Sequence, residues 1–180
     1  MAAAMTLITA ACALLTAAFA VLHRLFPAVW LLSAAITCGT FLYHFAMRLA
    51  VGHAVNAVMG NRADYTRPRY RPLPFEEKLY KKLKVRLWKD RLPTYMPAYF
   101  DIKNKSLEDI LQAMCQAETV HLIILPLSFL PLLAAIPFGA LPVFLITSMA
   151  AAAIDLAYVI LQRYNRPRLL KVLQRQNKKS

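Results

Sequence analysis

From Ala2 to Leu22 the chain runs 21 residues without a charge. As a helix rising about 1.5 Å per residue, that run is roughly 31 Å long, enough to cross the hydrocarbon core of a bilayer. A secretory signal is the competing reading, and Thr16-Ala17-Ala18-Phe19-Ala20 offers small residues for cleavage. The basic n-region of a signal is missing, however, and the run exceeds an h-region in length. A first membrane span is expected.

The rest of the sequence repeats the theme. Hydrophobic residues make up 59% of the 180, yet there are 22 Lys and Arg and a formal charge of +13. Apolarity and charge are therefore segregated along the chain. Further spans are expected at about 28–47, at about 119–136 with interruptions at Pro126 and Pro131, and at about 141–161, uncharged except for Asp155. The expected fold is an all-α integral membrane protein of four transmembrane helices, forming a single domain over 1–180. A basic amphipathic segment, 48–117, separates helices 2 and 3, and a basic tail occupies 162–180. The stretch from Arg48 to Gln116 holds 14 Lys and Arg and the chain from Arg163 onward seven, whereas the turn after the first span holds Arg24 alone. By the positive-inside rule the middle segment and both termini face the cytoplasm. Basic residues flanking apolar spans point to anionic headgroups, and no nucleic-acid module is present. Cys12, Cys38 and Cys115 have neither disulfide nor zinc spacing.

Within the middle segment, Val51 to Gly60 reads as a short interfacial helix and Asn61 to Pro74 as an irregular basic connector. Phe75, Leu79 and Leu83 recur at helical spacing among Lys78, Lys81, Lys82 and Lys84, with Glu76 and Glu77 in the first turn, where carboxylates suit the helix dipole. This is a basic amphipathic helix for a membrane surface. It runs into Trp88, Lys89 and Asp90, which either anchor at the interface or fold back over a site. Ser106 is placed to cap a helix that continues unbroken through Glu118 and His121 into the third span.

Ionisable residues at membrane depth carry the candidate chemistry. Glu118 and His121 are three apart and so share a helix face. His44 and Arg48, four apart, line a polar cleft or leave Arg48 to snorkel. Asp155, Gln162 and Arg163 fall near one face, with internal pairing of Asp155 and Arg163 set against a shared pocket. Glu118-x-x-His121, with His44 or Asp155, has some of the ligands of a carboxylate-bridged di-iron bundle, but one such pair is a weak signal where two are usual. No metal and no other cofactor are expected. Acyl transfer is the better fit: histidine suits removal of a hydroxyl proton, a carboxylate orients the ring, and nearby Arg and Asn side chains donate to an oxyanion or a donor phosphate.

The strings Phe75 to Pro93, Ala117 to His121 and Gln162 to Leu169, in that order, resemble the glycosyl-4,4'-diaponeurosporenoate acyltransferase (CrtO-like) family over about residues 44 to 172. The resemblance implies a bacterial multi-pass membrane protein that esterifies the glycosyl group of a carotenoid with a fatty acyl chain in staphyloxanthin-type pigment synthesis. Glu118 and His121 match the family's Glu-x-x-His; Trp88, Lys89 and Asp90 match its Trp-Lys block; Gln162, Arg163, Asn165 and Arg166 match its terminal block. An Asn and, two residues on, a Pro precede the last block in the family pattern, where this chain has Asp155 and Ala157. The expectation is an acyltransferase taking an acyl donor such as acyl-coenzyme A and a glycolipid acceptor. His121 is its base, Glu118 its orienter, and Gln162, Arg163, Asn165, Arg166, Trp88, Lys89, Asp90, His44, Arg48 and Asp155 bind substrate. A non-enzymatic anionic-lipid-binding scaffold and a metal-dependent membrane enzyme are the alternatives.

Overall fold

The computed structural model describes residues 2–178, and among them there is helix, turn and coil but no strand. Met1 and the last two residues of the expected basic tail, Lys179 and Ser180, lie outside the described residues. Helix α1 is Ala2–Leu25, α2 Val29–Met59, α3 Glu76–Lys82, α4 Val85–Trp88, α5 Leu107–Leu127, α6 Ala135–Phe138 and α7 Leu141–Asn177. Four stretches are long and apolar enough to span a membrane: α1, α2, Leu107–Phe138 and α7. The protein is thus an all-α, four-span membrane protein.

Two helices outrun the apolar runs that announce them. α2 continues past Arg48 to Met59, so Val51 to Gly60 is for the most part its last turns and not a separate helix. Nothing there breaks a helix except Gly52, which costs about 1 kcal/mol relative to Ala. α7 likewise continues through the expected tail to Asn177, with Pro167 inside it. Its extension is rich in Leu, Arg, Lys and Gln, all good helix formers. Loss of apolarity marks the edge of the membrane, which need not be the end of a helix.

The chain forms two compact units. The first comprises Met1–Gly52 and Ile123–Ile154. In it α1 buries none of its own residues, as suits a helix whose apolar surface meets lipid. Pro126 brings α5 to its end at Leu127, and the Tyr43 hydroxyl donates to the Leu127 carbonyl at 2.8 Å. A 3₁₀ turn over Leu130–Ala134 and the short α6 carry the chain on to Gly139. Its φ of 68° with ψ of −123° is a backbone that only glycine adopts without strain.

The second unit comprises His53–Leu122 and Asp155–Ser180. Asn61 to Pro74 is irregular apart from one 3₁₀ turn at Pro68–Tyr70, which buries Tyr70 with Ala63 and Cys115. Two short turns shape its loops. Asp64 accepts from the Thr66 amide and hydroxyl, and Asp101 from Lys103 N and the Asn104 amide; these bonds hold both carboxyls below their usual range. The Ser106 hydroxyl caps α5, accepting from Asp109 N at 3.0 Å.

The expected basic amphipathic helix is split in two at Lys84, which sits at φ 50°, ψ 41° between α3 and α4. That left-handed conformation costs a residue with a Cβ roughly 1–2 kcal/mol. Lys84→Gly is therefore expected to raise stability by about 0.5–1 kcal/mol, after allowance for the extra freedom of glycine in the unfolded chain. Thermal unfolding in detergent measures this, and Lys84→Val should move the midpoint the opposite way.

Candidate functional site

α5 as far as Leu122 and α7 from Asp155 onward run antiparallel within the second unit. Contacts step down α5 from His121 through Glu118 to Cys115 as they climb α7 from Asp155 through Arg163 to Arg166. Two polar assemblies result.

The first is built on His121. Its Nδ1 lies 2.8 Å from Oδ1 of Asp155, a carboxylate only 1% exposed. Because a carboxylate accepts, Nδ1 carries a proton and donates, and in the neutral imidazole the lone pair then lies on Nε2. The imidazole is stacked flat on Tyr158, ring centroids 4.6 Å apart and planes 9° apart. The Tyr158 hydroxyl in turn donates to the Pro93 carbonyl at 2.7 Å. The His121 side chain keeps 21% of its surface exposed.

The second is an ion-pair cluster around Glu118, itself 1% exposed. Its Oε1 accepts from Arg163 Nη1 at 2.7 Å and its Oε2 from Arg166 Nη2. Arg163 also donates from Nε to Glu76 Oε1 at 2.5 Å and from its two Nη atoms to the carbonyls of Arg69 and Arg71. Four of the five N–H groups of its guanidinium are thereby committed. Arg166 donates to the Cys115 thiol and lies over the Tyr70 ring, whose other cationic neighbour is Arg69. Two carboxylates and two guanidiniums balance, which is the condition for burying them at all. Beside this cluster Tyr80 packs edge-on to Tyr164; burial, and then the Glu76 carboxylate, push its hydroxyl's pKa well up, so it stays protonated.

Glu118 and His121, expected to act together, have different partners: the carboxylate that holds His121 is Asp155. Arg163, a candidate partner for Asp155 along one helix, reaches across to Glu118 and Glu76. Gln162 is 8% exposed and, seven residues after Asp155, lies on the same face of α7. Asn165 is half-buried and stands nearly opposite Arg163 around the helix. Trp88 Nε1 donates to the Leu83 carbonyl at 3.0 Å and Lys89 pairs with Asp90 at 2.6 Å, a few residues before Pro93. His44 and Arg48 belong to the first unit, where His44 is buried and Arg48 donates to the carbonyls of His44 and Ala151. Among the described residues no three or more His, Cys, Asp or Glu side chains converge as metal ligands.

Sequence reasoning passed over Glu76, Tyr70 and Tyr158. Glu76 reads as an ordinary first-turn carboxylate, and only its burial, at 4% exposed, sets it apart from Glu77. Tyr158 follows Asp155 by three residues, a spacing that offered the one available signal.

Fold and site together define a four-span helical membrane protein with a histidine–carboxylate pair and a buried ion-pair cluster on the same two helices. A family model for glycosyl-4,4'-diaponeurosporenoate acyltransferase matches residues 61–175, and the chain belongs to that family. The matched region contains both assemblies and excludes His44 and Arg48. No curated protein and no solved structure matches the chain.

Proposed function

We propose that the protein is a membrane-bound acyltransferase that esterifies a hydroxyl of a glycosylated lipid with a fatty acyl chain. The observation that carries this reading is the His121–Asp155 pair, whose imidazole side chain keeps 21% of its surface exposed. Family membership supports the reaction class and the glycosylated acceptor. The excess of Lys and Arg in 48–116 and after residue 162 supports a site at the cytoplasmic leaflet, with both termini on that side and anionic headgroups around them.

In this mechanism the acceptor hydroxyl gives its proton to His121 Nε2 as its oxygen attacks the carbonyl carbon of an acyl thioester. Asp155 holds the ring in the Nδ1–H form and stabilises the imidazolium. Gln162, on the Asp155 face of α7, donates its amide to the oxyanion that forms. Collapse breaks the carbon–sulfur bond, and the imidazolium returns its proton to the leaving thiolate. Arg163, Arg166 and Glu118 lock α5 against α7 so that base and carboxylate meet; the committed donors of Arg163 suit that task better than binding a substrate. Trp88, Lys89 and Asp90 lead into the Pro93 loop beside His121 and contact the acceptor there.

To test the reading, membranes from a host that makes a glycosyl carotenoid, with and without this protein, are given radiolabelled palmitoyl-coenzyme A. Label should enter a glycolipid ester, released by mild alkali, only where the protein is present. Equal labelling in both membranes would overturn it.

A further inference from the structure

Tyr158 is in contact with both the imidazole face and the loop beside it. We infer that Tyr158 is a positioning residue that clamps the His121 ring and latches the loop 92–96 over the site; the inference rests on the function proposed above.

Two geometries on one side chain carry the argument. The phenol ring lies parallel to the imidazole, 4.6 Å between centroids, and covers one of its faces. A hydrogen bond at Nδ1 alone fixes a point on the ring and leaves the plane free to swing about that bond. A parallel aromatic neighbour removes the swing, so hydrogen bond and stack together fix position and plane. Productive proton transfer needs the base within hydrogen-bond reach of the substrate hydroxyl, and small misplacements of a base are costly.

The hydroxyl of the same tyrosine donates to the Pro93 carbonyl at 2.7 Å. Arg91 closes a 3₁₀ turn, and from Leu92 to Met96 the chain is irregular, with no helix of its own to hold it. The Tyr158 hydroxyl therefore acts as a tether from α7 to this segment. Ring and hydroxyl divide the work: the ring positions the base, and the tether sets how closely the loop covers substrate.

Conservative variants separate the two. Tyr158→Phe keeps the stack and cuts the tether, so KM for the acyl acceptor should rise several-fold with kcat within about twofold. Tyr158→Leu loses both, and kcat should fall at least tenfold. In a His121→Gln background, Tyr158→Leu should lower kcat no further, since the ring acts through His121, while the rise in KM from the lost tether persists. An equal, additive loss in that background would overturn the inference while leaving His121 as base. A second readout does not depend on turnover. Diethyl pyrocarbonate should modify His121, followed by peptide mass analysis, slowest in wild type, faster in Tyr158→Phe and fastest in Tyr158→Leu. Identical rates in all three would refute the clamp, whereas the proposed activity fails only if wild-type protein forms no ester.

Discussion

His121→Gln is expected to lower acyl transfer by on the order of 10²–10⁴-fold, the range for loss of a general base, with little change in unfolding midpoint. Glutamine is close in size and keeps an amide that can donate to Asp155. Asp155→Asn should cost a similar factor for a different reason. The asparagine amide can donate to Nδ1, which pushes the proton to Nε2 and presents an N–H where the mechanism needs a lone pair. Asp155→Glu, which preserves the charge, should recover part of the loss. The measurement is initial rate of ester formation at saturating acceptor, with folding monitored alongside. Full activity in His121→Gln would remove this residue from the chemistry and with it the proposed reaction mechanism.

That the base pairs with Asp155 bears on how far such a site is legible in sequence. Spacing along a helix reports which side chains share a face, and it set Glu118 beside His121 and Asp155 near Arg163. Each carboxylate instead takes its partner from the other helix: Asp155 goes to His121, Glu118 to Arg163 and Arg166. Two antiparallel helices bring facing residues to within a few ångströms, so a cross-helix pair competes well with an i, i+3 neighbour whose side chain points alongside. The inventory of groups was visible in the chain; the pairing depended on register between α5 and α7, which no local pattern encodes. Spans were the most legible feature, because the bilayer demands an unbroken apolar run. Helix ends were least legible. α2 and α7 continue into polar sequence because backbone hydrogen bonding and propensity do not stop where lipid does. Glu76 illustrates the remaining gap: beside Glu77 it has the same local signal, and only the connector folding back toward Arg163 buries one of the two.

Glu118→Gln should destabilise the fold by about 3–5 kcal/mol, the usual cost of breaking one partner of a buried ion pair. The substitution removes one of two carboxylates from a cluster in which Arg166 and Arg163 keep side-chain exposures of 3% and 14%. Neither guanidinium can shed its proton, so the lost charge cannot be offset by titration. A hydrophobic repair sharpens the point. Glu118→Gln combined with Arg166→Met removes the uncompensated cation as well and should restore much of the loss, because a well-packed apolar replacement of a buried pair is often neutral. Arg163 is left in place in this design since it also holds Glu76 and the carbonyls of Arg69 and Arg71. Unfolding in mixed micelles reads the stability of all three proteins. If Glu118 braces the site, the doubly substituted protein regains ester formation together with stability. If it regains stability and stays inactive, Glu118 acts at the reacting centre, and the assignment of roles between Glu118 and Asp155 reverses.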